Sequence, residues 1–97
     1  MGSESQFQSK VKKFLESNGF YVVNVHGGAW GGKGTADLIC CFRGRFVAFE
    51  LKVGENQLSE AQKIRKQEVE LSGGRVFCPR TFPEVEEIVK GLRKWVN

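Results

Sequence analysis

The 97-residue sequence contains one histidine and three cysteines, which is too few for several common kinds of protein. Cys40 and Cys41 are adjacent in an apolar segment, so the cysteines lack the spacing of a disulfide-stabilised secreted domain. No cysteine and histidine spacing fits a zinc site. We therefore interpret the cysteines as small core residues of a protein in a reducing compartment.

Long apolar runs are also absent from the sequence. No run reaches the length that crosses a membrane, and no signal peptide is evident, so we expect a cytoplasmic protein without a membrane partner. Residues 1–97 are expected to form a single domain, small enough that oligomerisation would help it to bury apolar surface. The net charge of +4 is compatible with a polyanionic partner, although many proteins that bind none share it.

Hydrophobic periodicity predicts seven elements in the order αβββαβα, an α/β fold with a mixed sheet flanked by helices. Ser59 with Gln62, and Thr81 with Glu84, have the spacing of capping boxes that open the second and third helices. Asn18-Gly19 is typical of the end of the first helix. The predicted helices cover residues 3–17, 59–71 and the segment after 81, and the predicted strands cover 20–25, 37–42, 46–52 and 75–78.

The second and third strands form a predicted hairpin around Arg43-Gly44. A two-residue loop there places Asp37 directly opposite Glu50, and a four-residue loop keeps this register. A three-residue loop shifts it by one and leaves the two carboxylates diagonal. Glu50 and Lys52 share a face of the strand because they are two positions apart.

Two carboxylates that face each other across a strand pair repel, with Cβ atoms about 5 Å apart. A divalent cation between Asp37 and Glu50 would offset that repulsion, and hard cations prefer oxygen ligands. The alternative is a pair of solvated strand ends, since exposed ion pairs such as Glu50 with Lys52 contribute little and arise freely.

Ala36-Asp37 followed by Glu50-Leu51-Lys52 resembles the catalytic motif of the PD-(D/E)xK nuclease superfamily. The pattern is most similar to its VRR-Nuc branch of small virus-type replication-repair nucleases. Ala36 stands where the motif's name has proline, which concerns the local backbone more than the chemistry because that proline carries no ligand. Further segments resemble the family in the correct order: Glu4 with Phe7-Gln8, Gly34-Thr35, Leu58 to Gln62, and Gly73 to Val76.

The resemblance implies a restriction-endonuclease-like fold and a site that binds Mg²⁺ or Mn²⁺. It implies Asp37, Glu50 and the backbone carbonyl of Leu51 as ligands, with Lys52 beside the metal. Lys52 would orient the attacking water, assist its deprotonation or neutralise the phosphate, and the sequence does not separate these roles.

Two further catalytic candidates have equally good structural interpretations. Glu4 would complete the metal site from the first helix, but an acidic residue in a first helical turn is also favourable through the helix dipole. Gln62 would contact the water or the scissile phosphate, but its capping box explains the glutamine without any active site.

Basic and aromatic residues form the predicted DNA contacts. The glycine-rich segment 26–34 leads into Asp37, and its glycines permit backbone N–H groups to approach phosphates closely. A surface loop with an incidental tryptophan, and a solvated helix face, are the alternatives. The predicted DNA-binding residues are His26, Trp30, Lys33, Arg43, Lys63 and Lys66.

Together these features predict a metal-dependent, structure-selective DNA endonuclease. A compact domain has little room for base readout, which favours recognition of backbone or shape. The resemblance implies Holliday-junction resolution by a homodimer that makes paired cuts, in a bacterial or phage-infected host cell. The alternatives are a catalytically silent nucleic-acid-binding module, and an endonuclease or exonuclease that acts on linear or flapped DNA.

Overall fold

The structure is a computed structural model that describes residues 3–25, 37–51 and 58–96, with side chains from Gln6 onward. The described elements have the predicted order αβββαβα. No helix among these residues is long and apolar enough to cross a membrane. The helices are α1 (Ser3–Ser17), α2 (Glu60–Leu71) and α3 (Phe82–Trp95), and the strands are β1 (Tyr21–Asn24), β2 (Leu38–Phe42), β3 (Arg45–Phe49) and β4 (Arg75–Phe77).

The four strands form one mixed sheet in the order β1-β2-β3-β4. The pairs β1–β2 and β2–β3 are antiparallel, whereas β3 and β4 are parallel and are joined by a crossover that contains α2. The predicted α/β class with a mixed sheet is therefore confirmed.

The turn between β2 and β3 decides the register of the hairpin. Arg43 and Gly44 both have positive φ, 52° and 83°, as a two-residue type I′ turn requires. Phe42 pairs with Arg45 and Leu38 with Phe49, so the register is the one that the two-residue loop predicts. The register that a three-residue loop would give is therefore excluded, and Asp37 and Glu50 lie at the same end of the sheet.

The core lies between one face of the sheet and the helices α1 and α3. The last helix contributes Val85, Val89 and Leu92, all buried, as its apolar stripe predicts. The first helix contributes Val11 and Leu15. The rest of the core comes from the strands and their flanks: Phe20, Val22, Leu38, Cys40, Phe42, Val47, Phe49 and Leu51.

Helix α2 covers the opposite face of the sheet and buries none of its own residues. Gly74, just before β4, allows its close approach. A Cβ at Gly74 would lie 2.9 Å from both the Phe46 carbonyl oxygen and the Val69 side chain. The glycine therefore fits where strand and helix leave no room for a methyl group.

Both strands of the hairpin are shorter than predicted at the end that carries the acidic residues. β2 begins at Leu38 rather than Asp37, and β3 ends at Phe49 rather than continuing through Glu50. The hydrogen bonds change partners there, because the Glu50 N–H donates to the Phe77 carbonyl of β4 (2.8 Å). The predicted strand extension to Lys52 lies partly outside the described residues.

Gly74→Ala and Gly91→Ala form a matched pair for testing this packing. We expect Gly74→Ala to destabilise the fold by about 1–3 kcal/mol, because the backbone of Phe46 cannot move aside cheaply. Gly91 lies in α3 with no atom within 4 Å of an added Cβ, so Gly91→Ala should stabilise by about 0.5–1 kcal/mol. Urea unfolding of both variants measures the difference, and equal effects would contradict the tight approach of α2.

Neighbouring cysteines should differ sharply in reactivity. Burial raises the pKa of the Cys40 thiol to about 12, with a smaller contribution from Cys41 in the same direction. Cys41 is exposed on the other face of β2. At pH 7.5 iodoacetamide should therefore modify Cys41 and spare Cys40 until the protein is unfolded in urea. Peptide mass spectrometry checks this, and equal labelling under native conditions would contradict the burial of Cys40.

Candidate active site

Asp37 and Glu50 lie one register step beyond the last pair of the hairpin, Leu38 with Phe49. The backbone of Asp37 is bound on both sides. Its N–H donates to the Phe49 carbonyl (3.0 Å), and its carbonyl accepts from the Val25 N–H (2.9 Å). These backbone hydrogen bonds hold Asp37 at the end of the sheet where Glu50 also lies.

The Asp37 side chain is directed at the segment that follows β3. Its Oδ2 accepts a hydrogen bond from the Leu51 N–H at 2.8 Å. This contact joins the aspartate to the peptide that follows Glu50. It orients the Asp37 carboxylate toward Leu51, the residue between Glu50 and Lys52 in the motif.

Glu50 is buried, with 3% of its surface exposed. A buried carboxylate is costly unless hydrogen bonds or charges compensate for the lost water. The Gln62 side-chain Nε2 donates to Glu50 Oε2. The Glu50 backbone is also held by Phe77, so both its main chain and its side chain have defined partners.

Gln62 takes part in the helix cap and in the site at the same time. Its Oε1 accepts from the Ser59 N–H (2.8 Å), and its own N–H donates to Ser59 Oγ (3.1 Å), which completes the predicted capping box. Because the carboxamide oxygen is bound to the cap, the amide nitrogen is the end that faces Glu50. The two interpretations of Gln62 that the sequence left open are therefore compatible.

Helix α1 reaches the same end of the sheet. Asn24 ends β1 opposite Leu38, and its Nδ2 donates to Gln8 Oε1 (3.4 Å). Glu4 lies one helical turn before Gln8, so the two share a face of the helix. The Glu4 side chain is not among those described, and its catalytic role stays a prediction. No sequence pattern indicates a contact for Asn24, whose position is given by the strand pairing.

Several predicted site residues are placed differently or not at all. Arg43 is exposed in the turn at the opposite end of the hairpin from Asp37 and Glu50, so it does not join them. The predicted site residues His26, Trp30, Lys33 and Lys52 lie outside the described residues, and their roles stay predictions.

The cations of α2 are paired with glutamates on the same helix. Lys63 Nζ lies 3.4 Å from Glu60 Oε2, and Lys66 Nζ lies 2.6 Å from Glu70 Oε2. The hydrogen bond from Lys66 is the main cause of a lowered pKa of Glu70. The predicted DNA contacts at Lys63 and Lys66 therefore come from a helix that neutralises much of its own charge, and their role stays a prediction.

The donors at the sheet edge suit a hard divalent cation. Asp37 and Glu50 supply carboxylate oxygens, and Mg²⁺ commonly takes only one or two protein carboxylates. Among the described residues there is no cluster of three or more histidine, cysteine or acidic side chains. The two carboxylates are compatible with the Mg²⁺ or Mn²⁺ that the sequence resemblance implies, and the metal stays a prediction.

A solved structure described as a VRR_NUC domain superposes on this chain with a TM-score of 0.78. The match covers 93% of this chain and 97% of that chain, at 22% sequence identity. The chain has the VRR_NUC fold. The fold predicted from the sequence resemblance is thereby confirmed. No family model matches the sequence, and no curated protein does.

Gln62→Glu separates the two roles of Gln62 in this VRR_NUC-fold chain. Glutamate keeps the acceptor that the Ser59 N–H needs, but it replaces the donor that faces the buried Glu50 with a second carboxylate. We expect Gln62→Glu to lower the free energy of unfolding by about 1–3 kcal/mol in chelator at pH 7.

The control is Glu60→Gln, which changes an exposed side chain on the same helix without touching Glu50 and should shift stability by less than about 0.5 kcal/mol. Urea unfolding measures both variants. A Gln62→Glu protein as stable as Glu60→Gln would contradict the contact between Gln62 and Glu50.

Proposed function

We propose that this chain is a Mg²⁺- or Mn²⁺-dependent DNA endonuclease that hydrolyses phosphodiester bonds. The observation that carries the proposal is that Asp37 and the buried Glu50 lie at the same end of the sheet, one step beyond the last pair of β2 and β3. Burial of a carboxylate beside a second acidic residue is unfavourable for stability alone, and it is common where carboxylates serve catalysis.

Asp37, Glu50 and the carbonyl of Leu51 would hold the metal ion. When bound, the ion would stabilise charge on the phosphorane-like transition state and favour deprotonation of the attacking water. The chain's own contribution is positional. Asp37 is oriented by the Leu51 N–H and Glu50 by the Gln62 amide, so both carboxylates are in place before substrate arrives.

Three residues complete the proposed chemistry. Lys52 follows the carboxylates in the motif, and its ammonium would orient the water, assist its deprotonation or neutralise the phosphate. Gln62 positions Glu50 through its amide. Glu4 would add a further oxygen ligand from the first turn of α1, directly or through water.

Structure-selective cleavage is the finer part of the proposal. We infer a Holliday-junction-type substrate and a homodimer, because a small domain favours backbone and shape recognition, and two related sites suit paired cuts. Trp95 and Val96, apolar residues at the end of α3, are half-buried against this chain's own core. They therefore supply no separate support for the dimer.

Cleavage of labelled DNA tests the catalytic part of the proposal. The substrates are four-way junction, flap and linear duplex in Mg²⁺ or Mn²⁺. We expect wild type to cut the junction, and Asp37→Asn, Glu50→Gln and Lys52→Ala to lower the rate by about 10²-fold or more because each removes a group at the reacting phosphate.

The matched control is Glu87→Gln, which removes an equivalent charge from an exposed carboxylate on α3 whose ion-pair partner among the described residues is Lys90. It should cut at the wild-type rate. Binding of junction DNA without cleavage in either metal, with no metal binding by calorimetry that depends on Asp37, would instead favour the silent binding module. Preferential cutting of linear or flapped DNA would favour the other nuclease classes.

Sedimentation at the protein concentration used for cleavage tests the paired-cut version. We expect a dimer that makes symmetric cuts in the same junction. An active monomer would contradict paired cutting while leaving the endonuclease proposal intact.

A further inference from the structure

Three arginines surround aromatic rings at the end of the sheet opposite Asp37 and Glu50. The Arg45 and Arg75 guanidinium carbons lie 4.9 Å and 4.3 Å from the centre of the Trp95 ring. Arg43, in the adjacent turn, lies 5.0 Å from the centre of the Phe42 ring. We call Arg43, Arg45 and Arg75 the arginine end.

Sheet register explains why two of these arginines meet one tryptophan. Arg75 pairs with Val47, and Arg45 is two positions before Val47, so both side chains leave the same face of the sheet. The last turn of α3 packs on that face and brings Trp95 to them. The same turn carries Arg93 and Lys94, which add further positive charge beside the cluster.

The arginine end differs electrostatically from α2. On α2 the three cations Lys63, Arg65 and Lys66 each have a glutamate of the same helix within 4 Å. No carboxylate of the described residues lies within 4 Å of Arg43, Arg45 or Arg75. Among the described residues, the cations of α2 are thus in ion pairs, whereas Arg43 and Arg45 beside the hairpin turn are in none; Arg75 is in no ion pair, although its charge helps to lower the pKa of Glu70.

Stacking on aromatic rings orders a guanidinium without neutralising it. The plane of the group rests on the ring, and its N–H edge stays available for an oxyanion. Several like charges held close together without acidic partners repel one another, which favours a partner of high negative charge density. A row of DNA phosphates has that density, and arginine matches phosphate geometry.

We propose that the arginine end is a second DNA-backbone contact, which binds duplex DNA at the end of the sheet away from Asp37 and Glu50. The location of the cut rests on the proposed function, whereas the binding of duplex does not. Arg45 is five residues from Glu50 along β3, about 17 Å at 3.3 Å per residue. Glu50 contacts Gln62 of α2 whereas Arg45 lies against Trp95 of α3, so the two sites lie on opposite faces of the sheet as well as at opposite ends.

The site at Asp37 and Glu50 would contact the scissile phosphate, and the arginine end would contact other phosphates of the DNA. Both contacts are to backbone, so they position the DNA without reading its sequence.

Fluorescence anisotropy of labelled 20-base-pair duplex and four-way junction in EDTA tests the proposal without catalysis. The variant is Arg43→Gln/Arg45→Gln/Arg75→Gln. The control is Lys63→Gln/Arg65→Gln/Lys66→Gln, which removes the same charge from the paired cations of α2. We expect the arginine-end variant to bind roughly tenfold more weakly at low salt than the control. Its log–log salt slope should fall by about 2.7, at 0.9 per lost phosphate contact.

A second variant protects the test against misfolding, because Arg75 is half-buried whereas Arg43 and Arg45 are exposed. Arg43→Asn/Arg45→Gln changes only exposed residues of the hairpin, and asparagine suits the positive φ at position 43. It should keep the wild-type melting temperature and lower the salt slope by about 1.8. Equal affinity of this variant and wild type would overturn the proposal, as would an equal or larger loss in the α2 control.

The outcomes also separate this proposal from the proposed function. If wild type binds duplex but never cuts DNA, and both arginine variants bind duplex more weakly, the endonuclease proposal is contradicted and the arginine end is supported. Metal-dependent cleavage with unchanged binding in both variants would do the reverse.

Discussion

The buried carboxylate of Glu50 is the constraint on which the arrangement of the site depends. A group that loses its water needs defined partners, and those of Glu50 come from elements far apart in the chain. Phe77 of β4 accepts from its backbone N–H, and Gln62 of α2 donates to its side chain. The crossover from β3 to β4 therefore packs a helix on the sheet and also supplies the polar contacts that allow an acidic residue at that edge.

Helix α2, which lies in this crossover, is largely exposed. A helix with no buried residue contributes little through the hydrophobic effect, and its position relies on close approach at Gly74 and on its capped N-terminus. The cap then orients Gln62 toward Glu50. Stability of the helix end and geometry of the site are consequently coupled in one side chain.

Charge is distributed unevenly over the two ends of the sheet. Acidic residues lie at the end where β2 begins and β3 ends, and Arg43 and Arg45, which are in no ion pair among the described residues, lie beside the turn. On α2, by contrast, cations and glutamates alternate and pair along the helix. The net charge of +4 does not reveal this separation, because it sums charges that the fold places at different ends of the sheet.

Local rules predicted much of the structure. Capping boxes at Ser59 and Thr81 are present as their spacing indicates, since each involves residues three apart. Arg43-Gly44 indicated the hairpin, and the register follows from that turn. The ends of β2 and β3 were less predictable, because hydrogen-bond partners on β4 and β1 determine where each strand stops.

The sequence by itself determined the order of the elements, the position of the hairpin turn and the identity of the two acidic residues that flank the hairpin. These depend on periodicity, turn chemistry and spacing, which are written within a few residues of chain. Only the tertiary structure decided that Gln62 faces Glu50, that Arg43 lies far from the two acidic residues, and that Trp95 lies against both Arg45 and Arg75. Those contacts join segments that are distant in sequence, and their geometry is set by how helices and strands pack.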